Sequence, residues 1–360
     1  MSRLSLRRGG SQKLEFRDVN EDHDPLLEVD DLHTAFRTGR GTVRAVDGVS
    51  FTVNRGKTLG IVGESGSGKT VLSRSIMGLL PLRDVIKSGT VRFADHELTS
   101  MTPAQLRQVW GAELSMIFQD PMTALNPVKR IGVQITESLR LHLNMGRSDA
   151  KAHAIELLRS VGIPSPQQRV DWYPFQLSGG MRQRVMIAIA LACAPRLVMA
   201  DEPTTGLDVT VQAQILDLLA DLQRERHMAI ILVTHDLGVV ASRADDIVVM
   251  YAGRIVERAP TNTLFKDTHM PYTRALMDSI PRLSEASGTR LHAIAGRPPD
   301  LIHPPVGCRF APRCPYAQDK CRASEPPLRT IGAADHYFAC WFPLVDGIPT
   351  GPRTTEPAAL

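Results

Sequence analysis

Residues Gly63 to Thr70, reading Gly-Glu-Ser-Gly-Ser-Gly-Lys-Thr, constrain this chain more than any other stretch, because they satisfy G-x-x-x-x-G-K-[ST] without a mismatch. The glycines let the backbone turn tightly and aim successive N–H groups at one anion, and the segment from Thr70 to Leu80 opens a helix whose positive end faces the same point. Gly63, Glu64, Ser65, Gly66, Ser67, Gly68, Lys69 and Thr70 are therefore expected to bind a nucleotide. Lys69 reaches the β- and γ-phosphates in this reading, and the Thr70 hydroxyl takes a place on Mg²⁺. The apolar run Thr58-Leu59-Gly60-Ile61-Val62 reads as the short buried strand that feeds the loop. A flexible Gly/Ser loop accounts for neither flank.

Composition narrows the classes further. A chain of 360 residues is long enough for one large α/β domain and a smaller appendage. A formal charge of +4 is too mild to point to a nucleic-acid partner, and none is expected. No apolar run approaches the roughly 20 residues that cross a bilayer; the longest candidate, Val185 to Pro195, lies between Arg184 and Arg196. Any membrane role is thus peripheral. Residues 1–25 mix Arg7, Arg8, Lys13 and Arg17 with Glu15, Asp18, Glu21, Asp22 and Asp24, which reads as a solvated tail without a secretory h-region. A reducing compartment follows as the expectation, with the five cysteines as thiols or metal ligands rather than disulfides.

From Leu26 onward, alternating apolar residues predict a half-exposed antiparallel sheet, with Val43 to Val53 as one of its strands. Phe36 lies upstream of the cradle, where an aromatic could stack on a nucleotide base or simply occupy a strand face. Further strands are expected at Gly89–Phe93, Leu114–Phe118, Leu197–Ala200 and Ile230–Val233, and helices at Thr102–Arg107, within Gly132–Leu177, at Met181–Ala192 and at Val211–Arg224. Thr102 reads as an N-cap with Pro103 in the first turn. Alternation of strands and helices, with chemistry at the strand C-termini, predicts a parallel α/β core.

Asp201 and Glu202 end one buried strand, where two neighbouring acids repel each other without a cation. Asp201 suits the Mg²⁺ shell, and Glu202 suits orientation or deprotonation of the attacking water. Leu177-Ser178-Gly179-Gly180-Met181 places small residues ahead of a helix and so makes a second anion site. One nucleotide does not need two γ-phosphate sites on one chain. The economical reading is a head-to-tail pair, each subunit lending Ser178, Gly179 and Gly180 to the nucleotide held by the other.

These motifs, in this order, resemble the nucleotide-binding subunits of ABC transporters over roughly residues 26–260. Gly63–Thr70 is similar to Walker A, Gln119 to the Q-loop glutamine, and Leu177–Met181 to the LSGGQ signature, with Met181 where the family usually has Gln. Leu197–Asp201 is similar to Walker B with Glu202 as the catalytic glutamate, Gly206-Leu207-Asp208 to the D-loop, and His235 to the switch histidine. The resemblance implies catalytic roles for Glu202, His235 and Gln119, a nucleotide contact for Asp208, and Mg²⁺ held by Thr70, Gln119 and Asp201. It also implies an α/β fold: a P-loop core of parallel sheet plus antiparallel β-subdomain, with an α-helical subdomain and a small metal-binding extension.

Gln119 to Pro127 resembles the form this loop takes in dipeptide and oligopeptide importers, and His269-Met270-Pro271-Tyr272 resembles the start of the C-terminal extension in peptide and nickel importer ATPases. The implied division is a tail over 1–25, a nucleotide-binding domain over 26–268 with its helical subdomain at about 120–185, an extension over 269–345 and a tail over 346–360. The implied function is the ATP-hydrolysing motor of a di- or oligopeptide importer, with a nickel or other small-solute importer and a soluble ABC ATPase as alternatives. Partners would be a second ATPase subunit, two membrane-spanning permease subunits and an extracytoplasmic substrate-binding protein, placing the chain peripherally on the cytoplasmic face of the inner membrane.

In the extension, Cys308, Cys314, Cys321 and Cys340 are spaced C-x₅-C-x₆-C-x₁₈-C. Structural zinc commonly shows C-x₂₋₄-C pairs, which are missing here. The wider spacing, the Cys314-Pro315 step and the nearby Arg309, Arg313, Lys320 and Arg322 suit an anionic [4Fe–4S] cluster better, with Zn²⁺ or no metal as alternatives. His303 and His336 are weighed as substitute ligands, and Cys193, among Ala and Ile residues, reads as a core thiol.

Overall fold

The computed structural model describes residues 25–81, 83–280, 294–330 and 335–350. The tail over 1–24, the segment 281–293 and residues 351–360 therefore lie outside the described residues. An antiparallel sheet comprises β1 (Leu27–Thr38), β2 (Gly41–Val53), β4 (Val85–Phe93) and the short β5 (His96–Glu97), in the order β2-β1-β4-β5. A larger sheet has at its centre β3 (Thr58–Val62), all of whose residues are buried. Beside it run β8 (Ala229–Thr234), β7 (Leu197–Asp201) and β6 (Leu114–Ile117) on one side and β9 (Asp246–Tyr251) on the other, all parallel. Parallel strands buried on both faces read as near-continuous apolar runs, which is why Leu-Val-Met-Ala and Ile-Ile-Leu-Val were recognisable as strands.

Helix α1 (Lys69–Ile76) packs between the two sheets, its Leu72 and Ile76 burying against Val29, Phe51, Ile61 and Met199. Each such apolar side chain contributes about 1.5–3 kcal/mol when withdrawn from water, so the helix behind the phosphate loop is fixed from both sides. Helix α2 (Pro103–Val109) begins as expected: Thr102 accepts from the Gln105 amide, and the Gln105 side chain accepts from the Thr102 amide. The helical region consists of α3 (Pro121–Ala124), α4 (Ile131–His142), α5 (Arg147–Ser160), α6 (Pro166–Arg169) and α7 (Gly179–Ala190), with Ile135, Leu139, Leu157, Leu158 and Val185 in one core. Helix α8 (Val209–Arg226) follows β7, and α9 (Leu237–Ala241) follows β8.

The extension does not stand apart from this core. After β10 (Arg254–Pro260), α10 (Thr261–Lys266) and α11 (Pro271–Asp278), the chain returns through α12 (Asp319–Ala323) to β11 (Arg329–Thr330) and β12 (Tyr337–Phe338). Strand β12 pairs antiparallel with β10, setting Phe338 opposite Glu257 and extending the main sheet. A final hairpin, β13 (Leu344–Val345) with β14 (Ile348–Pro349), crosses the boundary expected at residue 345, so folded chain reaches at least Pro349. The cause is legible in hindsight: Gly347 has φ +73° and Asp346 φ +51°, the left-handed pair that a tight hairpin turn needs.

Candidate ATP site at the strand C-termini

The parallel strands deliver their C-termini to one edge. Gly63 follows β3, Asp201 ends β7, Gln119 lies two residues past β6, and His235 follows β8. The loop from Gly63 to Gly68 leads straight into α1, with Gly68 at φ +102° as the residue before the first helical turn. A Cβ at Gly68 would lie 2.2 Å from the Ala45 carbonyl oxygen, so only glycine fits, whereas at Gly66 (φ +81°) nothing lies within 4 Å and the backbone is open on that side. Within the loop, the Ser67 amide donates to the Glu64 carbonyl (3.1 Å), and Lys69 Nζ donates to the carbonyls of Gly63 (2.7 Å) and Glu64 (3.0 Å). Burial lowers the pKa of Lys69, opposed by the charges of Glu202, Asp201 and Glu64.

The residues fit a nucleotide and its metal ion by their own chemistry. The buried Ser67 hydroxyl has no hydrogen-bond partner, an orphan that a phosphate oxygen would satisfy. Thr70 Oγ1 donates to Asp201 Oδ1 at 3.2 Å, which brings together two of the three groups assigned to Mg²⁺. Burial pushes the Asp201 carboxyl up, with the Thr70 hydrogen bond opposing and the Glu202 charge adding to the rise, so a divalent cation there would restore the ionised form.

Glu202 adopts φ +46°, and its amide donates to the Val233 carbonyl (2.8 Å). The left-handed turn lifts its side chain off the strand direction taken by Asp201. Its Oε2 accepts from Gln119 Nε2 (3.1 Å) and Thr205 Oγ1 (2.9 Å), with His235 Nδ1 at 3.4 Å. The structure thus joins Glu202, Gln119 and His235 around one carboxylate oxygen. It adds Thr205, which the sequence reading did not single out; its place three residues after Glu202, in a turn closed by the Thr205 amide on the Glu202 carbonyl (3.2 Å), is the signal that could have found it.

Other expected site residues stand apart. Ser178 is exposed and caps α7, accepting from the Met181 amide at 3.4 Å, and none of its described hydrogen bonds reaches the phosphate loop. Gly179 is exposed beside it, and Gly180 packs closely enough on Val211 that a Cβ would lie 2.9 Å from its Cγ1. Met181 is half-buried, its sulfur 3.3 Å from Arg169 Nη1. Asp208 caps α8 through the Val211 amide (3.0 Å). Phe36 is half-buried in β1, opposite Val43 and Val85, without a described contact to the loop. Glu64 turns its side chain away from the cradle to Arg313, a role that sequence spacing does not reveal.

Cys308, Cys314, Cys321 and Cys340 line one small cavity together with Phe310 and Trp341, and all are free thiols. Burial pushes Cys308 up to about 11 and Cys314 and Cys340 to about 12, opposed by the backbone amides of Phe310, Tyr316 and Phe342 respectively. Three of the basic residues expected to balance a cluster's charge are engaged elsewhere, Arg309 on Asp47, Arg313 on Glu64 and Arg322 on Asp319, while Lys320 lies over the ring of cavity-lining Trp341 at 4.0 Å. Long flexible cations find whichever acid or ring the fold brings near, and local spacing does not predict it. His303 is exposed beside Asp300, and His336 bonds to Glu257 (2.9 Å) and stacks on His269, so neither lines the cysteine cavity. Cys193 is partly buried against the core, and burial raises it to about 11.

A phosphate loop with an acid pair, a glutamine and a histidine converging at the ends of parallel strands defines a P-loop ATPase cassette. A profile described as ABC transporter matches residues 46–205, and one described as the C-terminal region of oligopeptide/dipeptide transporters matches residues 256–321. The oligopeptide transport ATP-binding protein OppD of Bacillus subtilis (strain 168) is 48% identical over 336 residues, covering 93% of this chain and 92% of that protein. The dipeptide transport ATP-binding protein DppD of Escherichia coli (strain K12) is 47% identical over 326 residues, covering 90% and 99%. Among solved structures, the dimeric bacterial ABC transporter cassette MJ0796 superposes with a TM-score of 0.59 at 25% identity, covering 65% of this chain and 98% of that one. The chain belongs to the family of ABC transporter ATP-binding subunits, and it is an ATP-hydrolysing transporter subunit. No described helix is long and apolar enough to cross a membrane.

Proposed function

We propose that this chain powers import of di- and oligopeptides, working from the cytoplasmic face of the inner membrane with two permease subunits, a substrate-binding protein and a second ATPase subunit. The observation that supports it most is the coincidence of two features in one chain: the Glu202, Gln119 and His235 group beside Thr70 and Asp201, and an extension matching the oligopeptide/dipeptide transporter C-terminal region. The relatives named for oligopeptide and dipeptide transport cover nearly the whole chain.

In this reading Lys69 and the loop amides from Gly63 to Thr70 hold the phosphates, and Thr70, Asp201 and Gln119 hold Mg²⁺, which supplies charge neutralisation on the phosphate oxygens. Glu202 takes a proton from water as its oxygen bonds to the γ-phosphorus and the bond to the β,γ-bridging oxygen breaks, giving ADP and phosphate. His235 hydrogen-bonds the γ-phosphate. Ser178, Gly179, Gly180 and Asp208 serve the nucleotide of the facing subunit, consistent with the exposure of Ser178, Gly179 and Asp208 and with the absence of any described hydrogen bond from Ser178 or Asp208 to the phosphate loop. Phe36 is assigned to the base. The nucleotide-binding unit spans 26–268 and the extension begins at 269.

The cysteine cavity is assigned to a [4Fe–4S] cluster in preference to Zn²⁺. Four thiols share one apolar cavity; burial, only partly opposed by the amides near Cys308, Cys314 and Cys340, keeps those free thiols protonated, so binding a cluster would release their protons. The transport assignment is tested by tagging the chain at its natural locus and purifying it from detergent-solubilised membranes. Co-recovery of two multispanning proteins, with loss of dipeptide uptake in a Lys69→Ala strain, is expected; recovery of the chain alone, with uptake intact, would refute it.

A further inference from the structure

We infer that Arg313 and Tyr272, both supplied by the C-terminal extension, are positioning residues that hold the phosphate loop in its anion-binding shape through Glu64. This role rests on the ATPase reading and adds to it a brace that the loop motif does not contain.

Glu64 is the junction. Its carboxylate accepts a bidentate pair from Arg313, Oε2 from Nη1 at 2.6 Å and Oε1 from Nη2 at 2.9 Å, the geometry in which a guanidinium fixes direction as well as distance. Its amide donates to the Tyr272 hydroxyl at 2.9 Å, so the N–H points to the extension. Its carbonyl accepts from Lys69 Nζ (3.0 Å) and from the Ser67 amide (3.1 Å). One residue therefore links the extension, through its side chain and amide, to the phosphate-binding lysine and the loop's inner turn, through its carbonyl.

Both braces are themselves immobilised. The Arg313 side chain is only 3% exposed; Nε donates to the Ala295 carbonyl (2.8 Å), Nη2 to the Ile294 carbonyl (3.2 Å) and Nη1 to the Tyr251 hydroxyl (3.3 Å). Tyr272 is fully buried in a ring cluster with Tyr251 (centroids 4.5 Å apart) and Phe310 (5.3 Å). A second attachment runs in parallel. Arg309 donates to the Ala252 carbonyl and to Asp47, and the next amide, Gly253, donates to the Ser67 carbonyl at 2.9 Å. Arg309 directly follows Cys308 and Arg313 directly precedes Cys314, so the cysteine cavity and the phosphate loop share one rigid scaffold.

The consequence is preorganisation. A loop with glycines at 63, 66 and 68 left ungripped would spread over many backbone states, and ATP would have to order it on binding. Held by Arg313 and Tyr272, it meets the phosphates already shaped.

The test measures Mg-ATP affinity, KM and kcat in the full-length chain carrying Tyr272→Phe, Glu64→Gln, Arg313→Met, or Glu64→Gln with Arg313→Met. Tyr272→Phe and Glu64→Gln each change a single polar group, which guards against the case in which Arg313→Met does not fold. Both are expected to weaken Mg-ATP binding about tenfold and to raise KM alike, with kcat within about threefold, the signature of lost ground-state binding. The double variant is expected within about twofold of Glu64→Gln alone, because the two residues act through one contact. Affinity within twofold of wild type in both Tyr272→Phe and Glu64→Gln, or multiplicative effects in the double variant, would overturn the role. Wild-type binding in the same titration separates the two readings: its absence removes the ATPase assignment together with this role, whereas its presence beside unaffected single variants removes only this role.

Discussion

The sheet edge that carries Gly63–Thr70 and the extension that carries the cysteines meet at Glu64, yet they keep their shapes by different means. At the edge, five-residue β3 and β7 are buried along their whole lengths, so the strands that deliver the loop are fixed by the sheet, and polar atoms past their ends are free to serve a ligand; the Ser67 hydroxyl is buried without a partner. The extension offers strands of two residues and an apolar cluster of its own made of Ala311, Ala317 and Cys321, packed by Cys308, Cys314, Trp341 and Phe342. So little apolar area does not hold a loop-rich segment by itself, and the extension leans on the core through buried Phe310 and Phe338 and through the Arg309 and Arg313 ion pairs. The edge, carried by its buried strands, tolerates an unsatisfied polar group; the extension, which adds only two-residue strands to that sheet, depends on ion pairs to the core and, in the cluster reading proposed above, on its cysteines.

That contrast predicts unequal damage from comparably small changes. Gly68→Ala strikes the edge where no relaxation is available, since φ is +102° and the added Cβ would lie 2.2 Å from the Ala45 carbonyl oxygen. Mg-ATP affinity is expected to fall by about 100-fold or more, because backbone strain and displacement of the loop amides act together; equilibrium nucleotide titration measures it, and near wild-type affinity would show that the loop is not held as rigidly as its contacts imply. Cys340→Ser strikes the extension. Anaerobically purified wild-type protein is expected to carry iron and acid-labile sulfide and the variant to lose most of both, with the unfolding temperature falling by about 5 °C and Mg-ATP affinity only severalfold. Zinc in place of iron, or a variant as stable and as metal-loaded as wild type, would reverse the reading of the cavity.

The edge was the legible half. Phosphate binding demands glycines, a lysine and a hydroxyl at fixed spacing, and Asp201, Glu202, Gln119 and His235 each follow a short apolar run, so both chemistry and position can be read locally. The brace was not legible, because its partners are far apart in sequence: Arg313 lies 249 residues from Glu64 and Tyr272 lies 208 from it. Proximity in sequence instead tied Arg309 and Arg313 to the neighbouring cysteines, whereas the fold spends both guanidiniums on Asp47 and Glu64. The two-residue β12 was likewise invisible to periodicity, since Tyr337 and Phe338 form too short a run to show alternation and earn their pairing only from β10. Thr205 falls between these cases, being local to Glu202 yet unmarked by residue type.

Glu202 bears most directly on what the chain does, because the Gln119, Thr205 and His235 contacts all converge on its carboxylate. The decisive measurement is single-turnover hydrolysis of Mg-ATP by the purified transport assembly carrying Glu202→Gln. Binding at wild-type affinity, with hydrolysis slowed about 100-fold or more and the nucleotide recovered as ATP, is the predicted result. Conversion to ADP at the wild-type rate would contradict it.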